Sequence, residues 1–336
     1  MNDAQKATTQ KRSHRETIDL PAGKCALVAD RYEKVGRIGE GSYGVVYKAI
    51  DRQTNCTVAL KRCIPHHESS DGFPITTLRE IESLKLCSKH PNIVGLHQVA
   101  VSESGGVFLV FEHCDKDLAA ILDDYYAKHK SSPFPEASVK RLFLQLLSAL
   151  EYLHDHHLIH RDLKLSNLLY KEGSLKLADF GLSRPFSTGM HALTPTVASL
   201  WYRPPELLLG ATTYTQSIDM WASGCIWCEL LIGSPLFPGK TEMEQINKIF
   251  KALGVPSEWP ASLKDLLLTT SIGLLPTPTK ELLDRFAFLQ VTGLRMLTSL
   301  LNYEPEQRWT ASRALESPYF LDKPFPTPES EMRRFV

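Results

Sequence analysis

Residues 160–167 have the sequence His160-Arg161-Asp162-Leu163-Lys164-Leu165-Ser166-Asn167. This octapeptide places an ammonium group two residues after a carboxylate, and an amide five residues after it. The carboxylate of Asp162 can accept the proton of a hydroxyl and align its oxygen for in-line attack on a phosphate. Lys164 can balance the charge that develops on that phosphate, and the amide oxygen of Asn167 can hold Mg²⁺. Because these chemical groups rarely occur at this spacing by chance within eight residues, the stretch predicts phosphoryl transfer.

A second acidic motif, Asp179-Phe180-Gly181, follows shortly after the first. The residues before it, 174–178, alternate in hydropathy as a short strand does, so Asp179 stands where a strand ends. An aspartate in this place can ligate a Mg²⁺ ion that bridges the phosphates of a nucleotide. An aspartate close to a glycine is usually only part of a turn, but its position 12 residues after Asn167 favours the metal ligand.

A glycine-rich segment nearer the N-terminus reads Gly39-Glu40-Gly41-Ser42-Tyr43-Gly44-Val45. This spacing also occurs in dinucleotide-binding folds, and by itself it could be a plain hairpin. A dinucleotide site needs an acidic residue about 20 positions later, where this chain has Lys61 instead. Backbone N–H groups of a glycine-rich hairpin can approach a polyphosphate closely, and a lysine adds a point charge. The combination therefore predicts a nucleotide-phosphate site.

Lys61 needs a partner, because an isolated ammonium group inside a strand is costly. Glu80 is the candidate, and it lies on a predicted helix that begins near Pro74, whose fixed φ suits a first turn. A salt link between the two would hold the ammonium toward the phosphates. It would also couple the position of the helix to activity.

The chain changes character near residue 112. Strand-like segments and one helix come before this point, and amphipathic helices such as the one over 139–153 come after it. A mostly β segment followed by a mostly α segment predicts an α+β protein with two lobes and a ligand cleft between them. We expect a flexible extension over 1–30, a small lobe over 31–112, a hinge at 112–116, a large lobe over 117–320 and a tail over 321–336.

The composition argues against several functional classes. The 38 Lys and Arg residues balance 38 Asp and Glu residues, so the chain lacks a global basic field for nucleic acid. The chain contains no run of 18 apolar residues, which is about the length that a membrane span needs. Its N-terminal residues lack the apolar core of a signal peptide. Seven scattered cysteines fit a reducing compartment. We therefore expect no direct nucleic-acid or membrane partner and an intracellular location, in the nucleus, the cytoplasm or both.

Together these motifs resemble those of eukaryotic protein kinases, over roughly Tyr32–Phe320. The run Pro74-Ile75-Thr76-Thr77-Leu78-Arg79-Glu80 is similar to the signature helix of the cyclin-dependent kinases, closest to their PITSLRE and PISSLRE branches. Leu200-Trp201-Tyr202-Arg203 agrees with that family. The resemblance implies a bilobal protein kinase fold, with one regulatory helix in a small β-rich N-lobe and a large, mainly helical C-lobe. It implies a serine/threonine kinase that uses ATP and Mg²⁺.

The resemblance assigns roles to individual residues. Asp162 would be the catalytic base, and Lys61 and Lys164 would contact phosphates. Asn167 and Asp179 would hold Mg²⁺. Beyond the glycine-rich segment, the nucleotide would contact residues of both lobes and the hinge: Ile38, Val46, Ala59, Phe111, Glu112, Cys114, Asp117 and Leu169.

Within that nucleotide set, four positions carry specific expectations from the family. Backbone groups of Glu112 and Cys114 would hydrogen-bond the adenine. Asp117 would reach the ribose, and Phe111 would stand at the entrance to a back pocket.

Regulation by charge is also implied by the resemblance. Three arginines would converge near the segment that ends at Glu206: Arg79, Arg161 and Arg184. Thr194 stands where the family carries an activating phosphothreonine, and Thr196 is the second candidate. A phosphate there brings about −1.5 to −2 charges and can order the loop. Ser42 and Tyr43 match a pair whose phosphorylation inhibits relatives.

Partners follow from the same resemblance. Ile75 and Leu78 would face outward and dock in the groove of a cyclin, of the L or M type, with packing inside the small lobe as the alternative. Arg203 and Val197 resemble the family's arrangement for protein substrates that carry proline after the target serine or threonine. Ala198 and Ser199 replace bulkier family residues beside it.

Other interpretations stay open from the sequence alone. A pseudokinase would bind a cyclin or a nucleotide without phosphoryl transfer, although such proteins typically lose a motif residue and this chain keeps them. The histidines between His154 and His160 could form a zinc site, but a helix end favours their contact with carbonyl groups instead. A buried pair between Glu206 and Arg308 is expected to anchor the end of the regulatory segment.

Overall fold

The structure is a computed structural model that describes residues 25–41, 44–63, 75–87, 89–186, 198–255 and 281–335. Six strands build its smaller lobe: β1 (Ala26–Leu27), β2 (Tyr32–Gly41), β3 (Gly44–Asp51), β4 (Cys56–Cys63), β5 (Leu96–Val101) and β6 (Val107–Glu112). They form one sheet in the order β1-β5-β6-β4-β3-β2. The short β1 runs parallel to β5, whereas the other neighbours are antiparallel. A single helical turn, α1 (Val28–Arg31), joins β1 to β2.

Alternation along β4 gives this sheet two different faces. Val58 and Leu60 belong to a small apolar core on one side. Ala59 and Cys63 belong to the main core on the other side. Because successive side chains of a strand point to opposite faces, Lys61 lies on the side of the main core.

The helix α2 (Ile75–Cys87) packs against the main core. The sequence predicts that it begins near Pro74, which lies just outside the described residues. Leu84 and Cys87 are fully buried, and Glu80 is buried with them. Leu78 and Leu86 remain exposed, so the helix presents apolar side chains at the surface as well as in the core.

The larger lobe is mainly helical. Its helices are α3 (Leu118–His129), α4 (Glu136–Asp155), α5 (Pro205–Leu208), α6 (Ser217–Ile232), α7 (Glu242–Leu253), α8 (Glu281–Arg285), α9 (Val291–Leu300) and α10 (Ala311–Leu315). Short strands complete it: β7 (Lys116–Asp117), β8 (Leu158–Ile159), β9 (Leu168–Lys171), β10 (Ser174–Leu177) and β11 (Arg184–Pro185). They pair as a small sheet in the order β10-β9-β7 and as a β8–β11 ribbon.

Two helices form the centre of this lobe. The apolar stripe predicted over residues 139–153 is buried along α4. The nearly all-apolar α6 is buried from Ser217 to Leu230, as its sequence predicts. The rings of Phe143 on α4 and Trp227 on α6 stack with their centroids 5.5 Å apart. The predicted α+β, two-lobed architecture is therefore the one observed.

The predicted pair of Glu206 and Arg308 forms in the core of this lobe. The Nη1 and Nη2 atoms of Arg308 donate to the two carboxylate oxygens at 2.8 and 3.1 Å. The guanidinium also donates to the carbonyl oxygens of Ser217 and Asn302. Since a buried charge is stable only with such partners, the pair fixes α5 to the chain that precedes α10.

All seven cysteines are free thiols, as their scattered positions predict. Cys225 and Cys228 lie inside α6, where burial raises the pKa of both thiols, so they act as small core side chains. In the described ranges, every helix is too short or too polar to cross a bilayer.

Candidate active site

The ammonium group of Lys61 joins two carboxylates from different parts of the fold. Its Nζ atom lies 2.7 Å from Oε1 of Glu80, which is carried by α2. It lies 3.1 Å from Oδ1 of Asp179, which follows β10 in the larger lobe. The sheet, the helix and the larger lobe thus meet at one charged group.

Burial and ion pairing act in opposite directions on these groups. Burial alone would lower the pKa of Lys61, but the charges of Glu80 and Asp179 outweigh it and raise that pKa. Burial would raise the pKa of Asp179, but the Lys61 ammonium outweighs it and lowers that pKa. Lys61 therefore stays protonated and Asp179 stays ionised near neutral pH.

The backbone turns sharply at Asp179. Its φ of 65° lies in the left-handed region, which aspartate tolerates better than most residues. The next side chain, Phe180, enters the main core, where its ring meets the ring of His160 edge-on at 5.1 Å. His160 also bonds through Nε2 to the carbonyl oxygen of Ala178 at 3.1 Å. The two motifs that predict the chemistry are therefore held together.

The carboxylate of Asp162 is held by three side chains. Nζ of Lys164 donates to Oδ2 at 2.7 Å, and Nδ2 of Asn167 donates to the same oxygen at 3.2 Å. The hydroxyl of Ser199 donates to Oδ1 at 3.0 Å. The sequence assigns Lys164 to phosphate and Asn167 to Mg²⁺, and it predicts no contact of either residue, or of Ser199, with the carboxylate of Asp162.

A buried carboxylate on α6 holds the backbone of the loop that carries Asp162. Asp219 accepts the backbone N–H groups of His160 at 2.9 Å and Arg161 at 3.0 Å, and it bonds Nε2 of His154 at 3.1 Å. Burial would raise the pKa of Asp219, but the hydrogen bond from His154 and the neighbouring groups outweigh it and lower that pKa. The apolar pattern of the sequence predicts the helix, but it does not predict this role of its first-turn aspartate.

The same contacts argue against the alternative zinc site. His154 is engaged by Asp219, and Nδ1 of His156 bonds the carbonyl oxygen of Tyr152 at 2.7 Å. Among the residues that the structure describes, no group of three His, Cys, Asp or Glu side chains is placed to hold a metal ion. These histidines close a helix and orient a loop.

Two oxygen donors fit the chemistry of Mg²⁺. Nδ2 of Asn167 donates to the backbone and side chain of Asp162, so the amide oxygen points to other partners. Oδ1 of Asp179 bonds Lys61, which orients the remaining carboxylate oxygen. Amide and carboxylate oxygens are ligands that Mg²⁺ accepts, and nucleotide phosphates usually complete its shell.

The turn of the glycine-rich hairpin requires glycine. Gly41 pairs with Gly44 at the tip of β2 and β3. Gly44 has a φ of 148°, and a Cβ atom there would lie 2.0 Å from the carbonyl oxygen of Arg62. Some of the predicted phosphate loop lies outside the described residues: Ser42, Tyr43 and the side chain of Glu40.

The predicted adenine surface draws on both lobes. Ala59 and Phe111 pair across β4 and β6 and are buried. Val46 of β3 and Leu169 of β9 pack against the same apolar cluster from partly buried positions. Ile38 on β2 is half exposed. The structure thus brings four of these five apolar residues into one cluster between the lobes.

The hinge is fixed by polar contacts of its own. Glu112 accepts the backbone N–H of Gly95 through Oε1 at 2.8 Å, and Lys171 and Lys176 lie near its carboxylate. Oδ1 of Asp117 accepts the backbone N–H of a residue in the first turn of α3 at 2.9 Å and so caps that helix. Burial raises the pKa of the Cys114 thiol to about 12, so this side chain is neutral.

Comparison with known proteins agrees with this geometry. The protein kinase domain family matches residues 32–320. Cyclin-dependent kinase 10 of Rattus norvegicus and of Homo sapiens are each 47% identical over 317 residues, covering 93% of this chain and 86% of theirs. Cyclin-dependent kinase 11B of Mus musculus is 43% identical over 312 residues, covering 91% of this chain and 39% of its own. The chain belongs to the cyclin-dependent protein kinases.

A solved structure of the CAK complex from Chaetomium thermophilum bound to ATP-gamma-S contains a similar chain. It has a TM-score of 0.82 and 34% identity, and the match covers 90% of this kinase and 95% of that chain. The kinase fold and the likeness to the PISSLRE and PITSLRE branch are therefore confirmed. The enzyme is a protein serine/threonine kinase, and its fold is one that binds ATP.

The three arginines predicted to converge do so in this kinase. Arg161 donates to the carbonyl oxygen of Leu182 and to the hydroxyl of Tyr214. Burial lowers the pKa of Arg184, and the nearby charges of Arg79 and Arg161 lower it further. Nη1 of Arg184 is buried without an acceptor among the described residues. The candidate phosphothreonines lie outside those residues: Thr194 and Thr196.

The link between Lys61 and Glu80 can be tested by mutation. We expect Glu80→Gln to lower kcat/KM by roughly ten- to a hundredfold, because the ammonium loses its ion pair with α2 and shifts from the phosphates. Glu82→Gln is the matched control, since Glu82 is exposed on the same helix. Steady-state phosphorylation of a protein substrate measures both variants, and equal values would contradict the assignment.

Proposed function

We propose that this kinase transfers the γ-phosphate of Mg·ATP to serine or threonine hydroxyls of proteins and reaches full activity only with a bound cyclin. The observation that carries the proposal is the contact of Lys61 with both Glu80 and Asp179. That contact joins a phosphate-binding cation, a candidate metal ligand and a helix with an exposed apolar surface.

Asp162 is the proposed catalytic base. Hydrogen bonds from Lys164, Asn167 and Ser199 fix its carboxylate, which can accept the proton of an incoming hydroxyl. The ammonium groups of Lys61 and Lys164 offset the charge of the phosphates. Alignment of the hydroxyl with the phosphorus contributes roughly 7–11 kcal/mol of barrier reduction in such reactions.

Asn167 and Asp179 are the proposed magnesium ligands. When bound, Mg²⁺ supplies charge neutralisation on the phosphates of ATP. Lys61 orients the carboxylate of Asp179 through Oδ1, and the backbone of the catalytic loop orients the amide of Asn167.

Replacing Asp162 with asparagine tests the chemistry. Asparagine has the same shape but cannot accept the proton, so we expect kcat to fall roughly 10²- to 10⁴-fold. The Kd for Mg·ATP, measured by calorimetry, should stay within about threefold, because the contact is made in the transition state. Asp155→Asn is the control, because it makes the same change at an exposed position at the end of α4.

Comparable turnover of Asp162→Asn and the natural kinase would contradict the assigned base. A natural kinase that binds Mg·ATP and a cyclin without any transfer would instead favour the pseudokinase interpretation.

A cyclin is the proposed partner of α2. The relatives are named cyclin-dependent kinases, and Leu78 and Leu86 are 46% and 47% exposed on the helix that carries Glu80. A partner that covers this surface would set the position of Glu80 against Lys61. The L or M type of cyclin follows from the resemblance of the signature helix. The side chain of Ile75 lies outside the described residues.

The partner surface can be tested with one substitution. We expect the lone kinase to have low activity that rises with a cyclin of the L or M type. Leu78→Asp should lower the affinity for the cyclin roughly ten- to a hundredfold, because a leucine that becomes buried in an interface contributes strongly to its stability. Phe288→Asp is the control, because it makes the same kind of change at a residue of the C-lobe that is 57% exposed. This variant should bind the cyclin with unchanged affinity. Full activity of the lone kinase would contradict the proposal.

Val197 lies outside the described residues, and proline-directed specificity is supported by the corner at Ala198. This residue has a φ of 67°, and its carbonyl oxygen accepts Nη2 of Arg203 at 3.0 Å. Arg203 also pairs with Glu242. A carbonyl engaged in this way is not offered to the backbone N–H of a substrate. A substrate proline has no N–H and loses nothing there.

Three peptides test this explanation. They differ only in the residue after the target serine, which is proline, alanine or N-methylalanine. We expect kcat/KM to be roughly tenfold or more lower for alanine than for proline, because its N–H stays unpaired. N-methylalanine should recover most of the loss. Equal values for proline and alanine, or no recovery with N-methylalanine, would refute the explanation.

Phosphorylation is the second proposed means of regulating the activity of the kinase. Arg79, Arg161 and Arg184 form a cationic cluster that an anion would stabilise, and phosphorylated Thr194 is the proposed anion, with Thr196 second. Phosphorylation of Ser42 and Tyr43 is proposed to inhibit the kinase by disturbing the position of the ATP phosphates.

We also propose a nuclear or cytoplasmic location and a role in the cell cycle, on the strength of the family.

A further inference from the structure

Some hydroxyl side chains of this kinase are themselves followed by proline. Among the residues that the structure describes, these are Ser132, Ser234, Ser317 and Thr327. A kinase that acts on serine or threonine before proline therefore carries candidate targets in its own chain. The mechanism described above gives none of them a role.

The three serines are held inside the larger lobe. Ser317 is 4% exposed, and its hydroxyl accepts a backbone N–H of the turn that follows it. The hydroxyl of Ser132 donates to the carbonyl oxygen of Leu230 at 2.6 Å, and Pro133 after it is buried. Ser234 is half-buried in the connection between α6 and α7. Each of these serines would reach the cleft of another molecule only if part of the lobe unfolded.

Thr327 has different surroundings, because it lies in the C-terminal tail. Residues 325–328 form neither helix nor strand, and Pro328 is exposed. Two backbone hydrogen bonds hold the threonine to α4. Its N–H donates to the carbonyl oxygen of Ala137 at 3.0 Å, and its own carbonyl oxygen accepts Nε of Arg141 at 2.6 Å. An exposed segment held by so few bonds can open locally without unfolding the lobe.

A phosphate on Thr327 would have a cation beside it. The Nη1 and Nη2 atoms of Arg141 have no acceptor among the described residues. The hydroxyl of Thr327 lies 3.3 Å from that of Ser138, a second hydrogen-bond donor on α4. The carboxylate of Glu136 is offset by Lys140, whose Nζ atom lies 3.6 Å from it. A phosphate here can therefore form charge-assisted hydrogen bonds with the guanidinium.

The residues after Thr327 show what a fixed tail would stabilise. The hydroxyl of Tyr170 donates to the carbonyl oxygen of Arg333 at 2.7 Å. The ring of Phe335 meets the rings of Tyr170 and Phe134 edge-on, at centroid distances of 5.6 and 5.4 Å. The tail therefore packs on β9, a strand that borders the predicted nucleotide site.

We propose that a second copy of this kinase phosphorylates Thr327, and that the phosphate pairs with Arg141 and fixes the tail to the larger lobe. The inference rests on the proposed function, because it requires transfer to a hydroxyl that precedes proline. A second copy is needed because Thr327 contacts the first turns of α4, whereas Asp162 follows the opposite end of this helix. The 20 residues of α4 span roughly 30 Å.

The transfer uses the groups already assigned to the active site. A bond forms between Oγ1 of Thr327 and the γ-phosphorus of ATP, and the bond from that phosphorus to the oxygen shared with the β-phosphate breaks. ADP leaves with the electron pair of the broken bond. The proton of the hydroxyl passes to the carboxylate of Asp162 in the second copy and from there to water.

Transfer between copies tests the acceptor. A tagged, full-length Asp162→Asn chain is mixed with Mg·ATP and the natural kinase, purified with the cyclin that copurifies with it. Mass spectrometry then measures the phosphate on Thr327 of the recovered tagged chain. We expect this residue to be phosphorylated, and Pro328→Ala in the tagged chain to lower the rate roughly tenfold or more, because the N–H of alanine stays unpaired. Ser330→Ala is the matched control, because it changes an exposed hydroxyl of the same tail, and it should leave the rate unchanged.

Cleavage by trypsin after Arg333 tests the place of the phosphate. We expect the phosphorylated tail to be cleaved roughly fivefold or more slowly than the unphosphorylated tail, because cleavage follows the population of the open tail. Arg141→Gln should make the two rates nearly equal. Arg295→Gln, at an exposed position on α9, is the matched control and should keep the difference.

A peptide with proline after its serine, added to every reaction, separates this site from the proposed function. Transfer to the peptide without phosphate on Thr327, or equal rates with and without Pro328→Ala, would overturn the site while the kinase activity stands. Equal cleavage of the phosphorylated and unphosphorylated tails would overturn the pairing with Arg141. Failure to phosphorylate both the peptide and the tagged chain would contradict the site and the proposed function together.

Discussion

The buried ammonium group of Lys61 is the constraint on which the active site depends. It comes from the sheet, and its two carboxylate partners come from α2 and from the chain after β10. Loss of either ion pair leaves the buried cation less well compensated, so movement of either element is costly. The position of α2 and the orientation of Asp179 are thereby tied to each other, although no backbone hydrogen bond needs to join them.

The buried helix α6 is the second fixed point. Its first-turn residue Asp219 holds the N–H groups of the catalytic loop, and its next turns are apolar on all sides and packed in the core. Near its C-terminal end the same helix carries Glu229, which accepts the hydroxyl of Tyr202. A rigid helix therefore supports both the loop that carries Asp162 and the segment that precedes α5.

The sequence by itself determined the chemistry and the two-lobed architecture. The octapeptide at 160–167 and the motif at Asp179 carry their chemical groups at fixed short spacings, so their meaning is local. The 3.6-residue period over 139–153 and the alternation along β4 fix which faces are buried, since both periods follow from backbone geometry. The pair Lys61–Glu80 was also predicted, because an isolated ammonium group inside a strand needs a partner. The pair Glu206–Arg308 was predicted as the anchor at the end of the regulatory segment.

Only the tertiary structure decided how distant residues meet. Ser199 reaches Asp162 across 37 positions, and Asp219 reaches Arg161 across 58. Asp123 and Glu229 face one cavity from two helices. A single sequence carries no signal for such contacts, because a serine or an aspartate in isolation is equally compatible with solvent. The contacts exist because close packing of the helices brings the polar groups together where water is excluded, and there each must find a partner.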